Sequence, residues 1–199
     1  MKEQVKISDG DFFTQTLKVG EVKEHSWEYC KKLSSGKKVL HIGCSDYPIF
    51  NLETNMHLFL IPHCKEIWGV DPHGIEELQK HNPNNNRYCK YICDLPITNK
   101  YDIILVPNIL EHLVNPGQII TDLFALNFKK MFVLVPNYSI SNQAKYENGI
   151  FTERVHPDHY AWYSPYVLYN LFSKYIHHIK FEMNFFDNHN MISILITIQ

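Results

Sequence analysis

Five short apolar runs limit what this chain can fold into. They are KVLHI at 38–42, EIWGV at 66–70, YCKYI at 88–92, DIILV at 102–106 and MFVLV at 131–135. Such runs are too short for buried helices and rich in strand-forming residues, so they read as buried strands. Amphipathic stretches at 21–33, 52–61, 74–80, 116–127 and 165–175 alternate with them and read as helices. In the first, Val22, Trp27, Cys30 and Leu33 form one apolar stripe, and Ser34-Ser35-Gly36 stops it. Asn115 is placed to cap 116–127, Pro116 suits a first helical turn, and Ser164 is placed to cap 165–175. The tail reads HHIKFEMNFF, a DNHN turn, then MISILITIQ, which is a β-hairpin pattern.

Parallel strands need crossover connections, and the intervening helices supply them. The expected fold is therefore α/β: a Rossmann-like, doubly wound, mostly parallel seven-stranded sheet ending in an antiparallel hairpin. One domain is expected over 1–199, with an N-terminal helical segment to residue 35. The stretch 137–158 has little periodicity and is long for a connection, so a lid or substrate loop is expected over 138–164.

Charge and cysteine usage narrow the partners. A net charge of −2 gives no footprint for nucleic acid or an anionic membrane, so neither is expected as a partner. The start, MKEQVKISDGDFF, lacks the apolar core of a signal peptide, and ISILITIQ is too short to span a bilayer. Five cysteines without a framework spacing read as reduced thiols of a cytoplasmic protein.

Chemistry in such a sheet gathers beyond the carboxyl ends of the strands. Gly43 permits positive φ or close ligand approach. Asp71 ends the second run, where a carboxylate can accept from both hydroxyls of a ribose. Asp94 ends the third, where an acceptor can meet an adenine amino group. The turn after 38–42 keeps one glycine and carries Ser45 and Tyr47-Pro48, which argues against a pyrophosphate cradle.

The chain resembles the class I S-adenosylmethionine-dependent methyltransferases from about residue 37 onward. The resemblance is carried by KKVLHIGCSD, IWGVDPHGIEEL, YICDLP, YDIILVPNILEHLVNP, MFVLVPN and VHPDHYAWYSPYVLYNLF, in that order. It implies S-adenosylmethionine as cofactor. Gly43 and Ser45 would line its methionine part, Asp71 would hold the ribose, and Asp94 with Leu95 would meet the adenine. Asn108 and Glu111 would face the methionine end or the substrate. The family's acid before the glycine is His41 here. A neutral imidazole still donates or accepts a hydrogen bond, so His41 is read as either a cofactor contact or a structural hydrogen-bonding group.

The expected reaction is methyl transfer to an oxygen or nitrogen of a small metabolite; the resemblance extends to proteins of sugar and surface-polysaccharide synthesis. His159, or else His156, is the candidate general base; the alternative is that this segment is core packing. No metal is expected, because H-x-D-H shows no third ligand. Oligomerisation stays open. The competing readings are a non-catalytic cofactor-binding protein with an eroded site, and a nicotinamide-dependent oxidoreductase, which the absent G-x-G-x-x-G disfavours.

Overall fold

The computed structural model describes residues 3–9, 12–48, 50–83, 87–141, 143–175 and 179–198. His177 and His178, read above as hairpin positions, lie outside these residues, as does the 84–86 part of the polar loop.

The chain opens with an antiparallel hairpin of β1 (Glu3–Asp9) and β2 (Phe12–Thr16), where a helical segment was expected. A two-residue strand β3 (Gly20–Glu21) precedes helix α1 (Ser26–Ser34). Then follow β4 (Lys38–Ile42), α2 (Met56–Leu60), β5 (Glu66–Val70), α3 (Ile75–His81) and β6 (Tyr88–Cys89). The second half holds β7 (Lys100–Pro107), α4 (Pro116–Phe124), β8 (Asn127–Pro136), α5 (Tyr138–Ser141) and a small hairpin of β9 (Lys145–Glu147) and β10 (Ile150–Thr152). Helix α6 (Pro165–Ser173), β11 (Ile179–Phe186) and β12 (Met191–Ile198) complete it.

The main sheet has eight strands in the order β3-β11-β12-β8-β7-β4-β5-β6. The strand beyond the expected seven is β3, which pairs in parallel with β11. β6, β5, β4, β7 and β8 run parallel, and β12 joins β8 antiparallel. Central strands are buried on both faces, which is why their sequences are continuously apolar. Alternate residues go to opposite layers: Leu40, Ile104 and Val106 pack with Ile120 of α4 and Phe172 of α6. Val39, Ile103 and Leu105 pack with Cys30 of α1 and Leu60 of α2.

From β4 the chain winds outward through β5 to β6, then crosses back to β7 on the other side of β4. The order of strands reverses between β4 and β7, and a crevice opens at their carboxyl ends. Among the described residues no helix is long and apolar enough to cross a membrane.

Candidate active site

The turn after β4 answers for its missing glycines with buried polar side chains. Gly43 has φ +75° and its N–H donates to the Val70 carbonyl at 2.8 Å. The Asp71 carboxylate, buried at the end of β5, accepts the Ser45 N–H on Oδ2 and the His73 N–H on Oδ1, each at 3.0 Å. Asn55, also buried, donates to the carbonyls of Cys44 and Ser45 at 3.1 and 3.2 Å. Its Oδ1 accepts the Leu58 N–H at 3.0 Å and so caps α2. One carboxylate and one amide therefore clamp the turn from both sides. Asn55 was not recognised in the sequence; a capping residue before MHLFL was the available signal.

Gly43 serves a neighbour as well as the turn. A Cβ there would lie 1.9 Å from Ile109 Cδ1, so the side chain of Ile109 occupies the space over this glycine. The close approach expected of a ligand is here made by the protein, and a ligand reaching this glycine must move Ile109 aside.

The crevice has a volume of about 1610 Å³, and Gly43, Asp71, Leu95, Asn108, Ile109 and Glu111 line it together. That exceeds the roughly 300–1,000 Å³ of a site for one small ligand, leaving room for cofactor and acceptor side by side. Two expected residues do not line it. Ser45 is buried, spends its N–H on Asp71, and packs its hydroxyl under Gly74. Asp94 is exposed, and its Oδ2 accepts the Tyr91 N–H at 3.1 Å, closing the 3-10 turn Ile92–Asp94. Its carboxylate is a turn cap, and the wall beside it is made by Ile92 and Leu95.

These geometries separate two substitutions. Asp71→Ala strips two backbone donors of their acceptor, at about 1–3 kcal/mol for each that stays buried. A loss of about 2–4 kcal/mol in urea denaturation is expected, together with loss of cofactor binding. Asp94→Ala removes an exposed cap and should cost about 1 kcal/mol or less, with binding retained.

Beyond β7, the 3-10 turn Leu110–His112 carries the second half of the site. Glu111 is 1% exposed, and neither carboxylate oxygen has a hydrogen-bond partner among the described residues. Burial pushes its carboxyl up to about 8. Its carbonyl accepts the N–H groups of Tyr160 and Ala161 at 2.7 and 3.2 Å, which docks the loop before α6 onto this turn. His112 completes the latch. Its Nδ1 lies 3.1 Å from the Asp158 carbonyl, and a carbonyl only accepts, so Nδ1 is the donor in this contact.

The docked loop brings His159 over His112, with ring centres 4.7 Å apart at 85°. His156 stacks on His159 at 4.5 Å, and its Nδ1 accepts the Asp158 N–H at 3.3 Å. Burial first, then the neighbouring His112 and His156, lower His159 to about 4, so it is a neutral acceptor at pH 7. The Tyr163 hydroxyl donates to the Leu110 carbonyl at 3.3 Å, and burial raises it to about 12. Its ring fixes the other end of the loop.

Glu111, His112 and His159 each offer one ligand atom, and these atoms lie within 4.8 Å of one another. Of H-x-D-H only His159 belongs to this group; Glu111 and His112, 48 and 47 residues before it, supply the other two atoms. Two imidazoles and a partnerless carboxyl group fit a first-row divalent cation. His156 stands beside this group without belonging to it.

No protein-family model matches the chain, and no curated protein matches it in sequence. Solved structures do match in fold. The small RNA methyltransferase HEN1 aligns with TM-score 0.60 at 19% identity, over 87% of this chain and 25% of that one. A chain of the Pnkp1/Rnl/Hen1 RNA repair complex aligns with TM-score 0.59 at 15% identity, over 86% of this chain and 40% of that one. This chain therefore spans less than half the length of either. A S-adenosylmethionine-dependent methyltransferase from Clostridium acetobutylicum aligns with TM-score 0.54 at 14% identity, over 86% of this chain and 88% of that one. The strand order, the reversal between β4 and β7 and these alignments agree: the chain has the fold of the class I S-adenosylmethionine-dependent methyltransferases.

Proposed function

We propose that the crevice binds S-adenosylmethionine and that the protein moves its methyl group to an oxygen or nitrogen of a small metabolite, with a sugar hydroxyl the favoured acceptor. The observation that carries this is the meeting of two sets of groups in one crevice. The Gly43, Asp71 and Leu95 rim lies on one side of the reversal, and Glu111, His112 and His159 lie on the other.

The cofactor supplies a methyl carbon already activated by its sulfonium. What remains for the protein is alignment and proton management. Asp71 keeps lone pairs beyond the two it gives to Ser45 and His73, and these can accept from ribose hydroxyls. Ile92 and Leu95 offer an apolar wall for a base. His159, neutral at working pH, can accept a proton, and Glu111, whose carboxyl burial raises to about 8, can do so once a bound cation favours its charged form. A divalent cation held by Glu111, His112 and His159 would lower the pKa of an acceptor hydroxyl, which favours oxygen over nitrogen. Five free thiols fit the reducing conditions of the cytoplasm.

A second reading is a hydroxyl at an RNA end. Two structural neighbours are an RNA methyltransferase and part of an RNA repair complex. Tyr146, Phe151 and Tyr160 are also 72%, 59% and 70% exposed, on β9, β10 and the docked loop, where bases can stack. The net charge of −2 weighs against it.

Transfer of radioactive methyl from S-adenosylmethionine to a sugar and sugar-nucleotide pool, beside a short single-stranded RNA pool, decides between them. Label in the sugar pool supports the first reading, and label confined to RNA replaces it. Chelation should lower turnover by more than about tenfold, with recovery on adding divalent metal. Turnover unaffected by chelation would remove the cation from the account.

A further inference from the structure

We propose that the acceptor is the unphosphorylated end of an oligosaccharide, and that Tyr160, Trp162 and Tyr138 hold the sugar ring next to the one methylated. This rests on the sugar-hydroxyl reading above and narrows it to a substrate class.

Rings lead away from the Glu111 group in a series. The His159 ring, 4.7 Å from His112, meets Trp162 at 5.3 Å and 75°, and Trp162 meets Tyr138 at 5.6 Å and 56°. Tyr160, the residue after His159, lines the crevice and is 70% exposed. Backbone bonds fix these positions. The Tyr160 N–H donates to the Glu111 carbonyl at 2.7 Å, the Tyr138 N–H donates to the Tyr163 carbonyl at 2.9 Å, and Asn137 bridges to Tyr163. Asn137 is buried, and its side chain donates to the His189 carbonyl at 2.9 Å. The crevice reaches this end of the sheet, because Pro136 and Met191 line it, and Pro136 lies two residues before Tyr138. Aromatic rings on an anchored backbone offer a large contact area at little cost in conformational entropy. The buried pair His41 and His57, Nδ1 to Nδ1 at 3.2 Å, belongs to β4 and α2 on the Gly43 side and takes no part in this series.

Ring faces alone suit a sugar or a nucleobase. The negative face of an aromatic ring attracts the C–H groups that line one side of a pyranose, and it stacks on a base equally well. Charge separates the two. Among the described residues, Asp46, Asp71, Glu111, Asp122 and Asp158 line the crevice, against one lysine, Lys90, which pairs with Glu76 at 3.4 Å. A divalent cation on the Glu111 group would occupy Glu111 and leave the other four. Phosphates are held by Lys and Arg, whereas this crevice faces them with carboxylates. An unphosphorylated glycan meets no such repulsion, and its hydroxyls can donate to those carboxylates. Carboxylates inside and ring faces beside them therefore select a neutral sugar chain over RNA or a nucleotide-sugar.

Methyl transfer from S-adenosylmethionine to glucose, galactose and mannose, to their nucleoside-diphosphate forms, and to their di- and trisaccharides tests the subsite. For a sugar that accepts, the trisaccharide should exceed the monosaccharide by roughly ten- to a hundredfold in kcat/KM, and the nucleotide-sugar should be the poorest. Tyr138→Ala and Trp162→Ala should each remove most of that advantage, through KM. Should Trp162→Ala fail to fold, Trp162→Phe gives the answer: the trisaccharide should quench tryptophan fluorescence in wild type, and the quenching should be lost in the variant. Equal kcat/KM for mono- and trisaccharide would overturn the subsite and leave methyl transfer standing. So would a nucleotide-sugar as the best acceptor, a length preference or quenching that survives these substitutions, or transfer to none of these sugars by protein that binds S-adenosylhomocysteine. Label confined to a short single-stranded RNA would overturn the sugar reading and the subsite with it. Wild-type protein that does not bind S-adenosylhomocysteine would overturn the methyltransferase reading beneath both.

Discussion

Glu111→Leu is expected to abolish turnover while making the protein more stable. The carboxylate lies in the core side of the turn after β7 with neither oxygen partnered among the described residues. Burying a polar group without a partner costs about 1–3 kcal/mol, and leucine removes that cost at similar volume. The midpoint of urea denaturation should therefore rise, by an amount equivalent to about 1–2 kcal/mol. Methyl transfer should fall by about 10²–10⁴-fold, the scale of a lost acid–base group. A binding group retained at the expense of stability has this signature. If the variant were less stable and its activity fell only in proportion to the unfolded fraction, Glu111 would be structural.

The second large effect is a loss of stability in acid that belongs to the His41–His57 pair. Burial lowers His41 to about 3 and His57 well below its ordinary 6.5. Above pH 6.5 folded and unfolded chains both hold these rings neutral, and the pair adds nothing to the pH dependence. As pH falls below 6.5 the unfolded chain takes up protons that the folded chain refuses, so stability drops until the folded value is reached. At pH 5 the His41 ring contributes a loss of about 2 kcal/mol and His57 adds to it in the same direction, against a typical total of about 5–15. Glu111, raised, works in the opposite direction below pH 8, and His159, lowered, adds to the loss. Both are common to wild type and to a His41→Leu/His57→Leu variant, so the difference between the two proteins isolates the pair. Relative to the variant, wild type should lose about 2 kcal/mol or more between pH 7 and pH 5, read from urea midpoints. Parallel midpoints in the two proteins would mean that the rings titrate in the fold.

How much of this was legible in the sequence depended on whether a feature is local. β4 and β5 fall on the apolar runs residue for residue, because a strand buried on both faces leaves no other pattern. β7 and β8 extend beyond their runs, since edges such as Lys100 and Asn127 keep the ladder while facing solvent. The third run shrank to Tyr88–Cys89, because Tyr91 and Asp94 cap each other into a 3-10 turn. Asn115 precedes α4 as expected but makes no side-chain cap, whereas the Ser164 hydroxyl does accept the Val167 N–H. The β9–β10 hairpin went unread because all its residues are exposed and no face had to alternate.

The site follows the same division. Gly43, Asp71, Leu95, Asn108 and Glu111 stand on the rim as strand ends, a placement that order along the chain dictates. Asp94 and Ser45 do not line the crevice, because the direction of a side chain depends on its nearest backbone partners. The pairings His41 with His57 and Glu111 with His159 join different elements, and one sequence holds no trace of such distances.

The account turns on adenosine lying across the ends of β4 and β5. A crystal structure with S-adenosylhomocysteine tests it directly. Ribose hydroxyls within hydrogen-bond reach of Asp71, the base against Leu95, and Ile109 swung away from Gly43 are the predicted result. Density for the ligand elsewhere, or none at millimolar concentration with Ile109 still seated on Gly43, would contradict it.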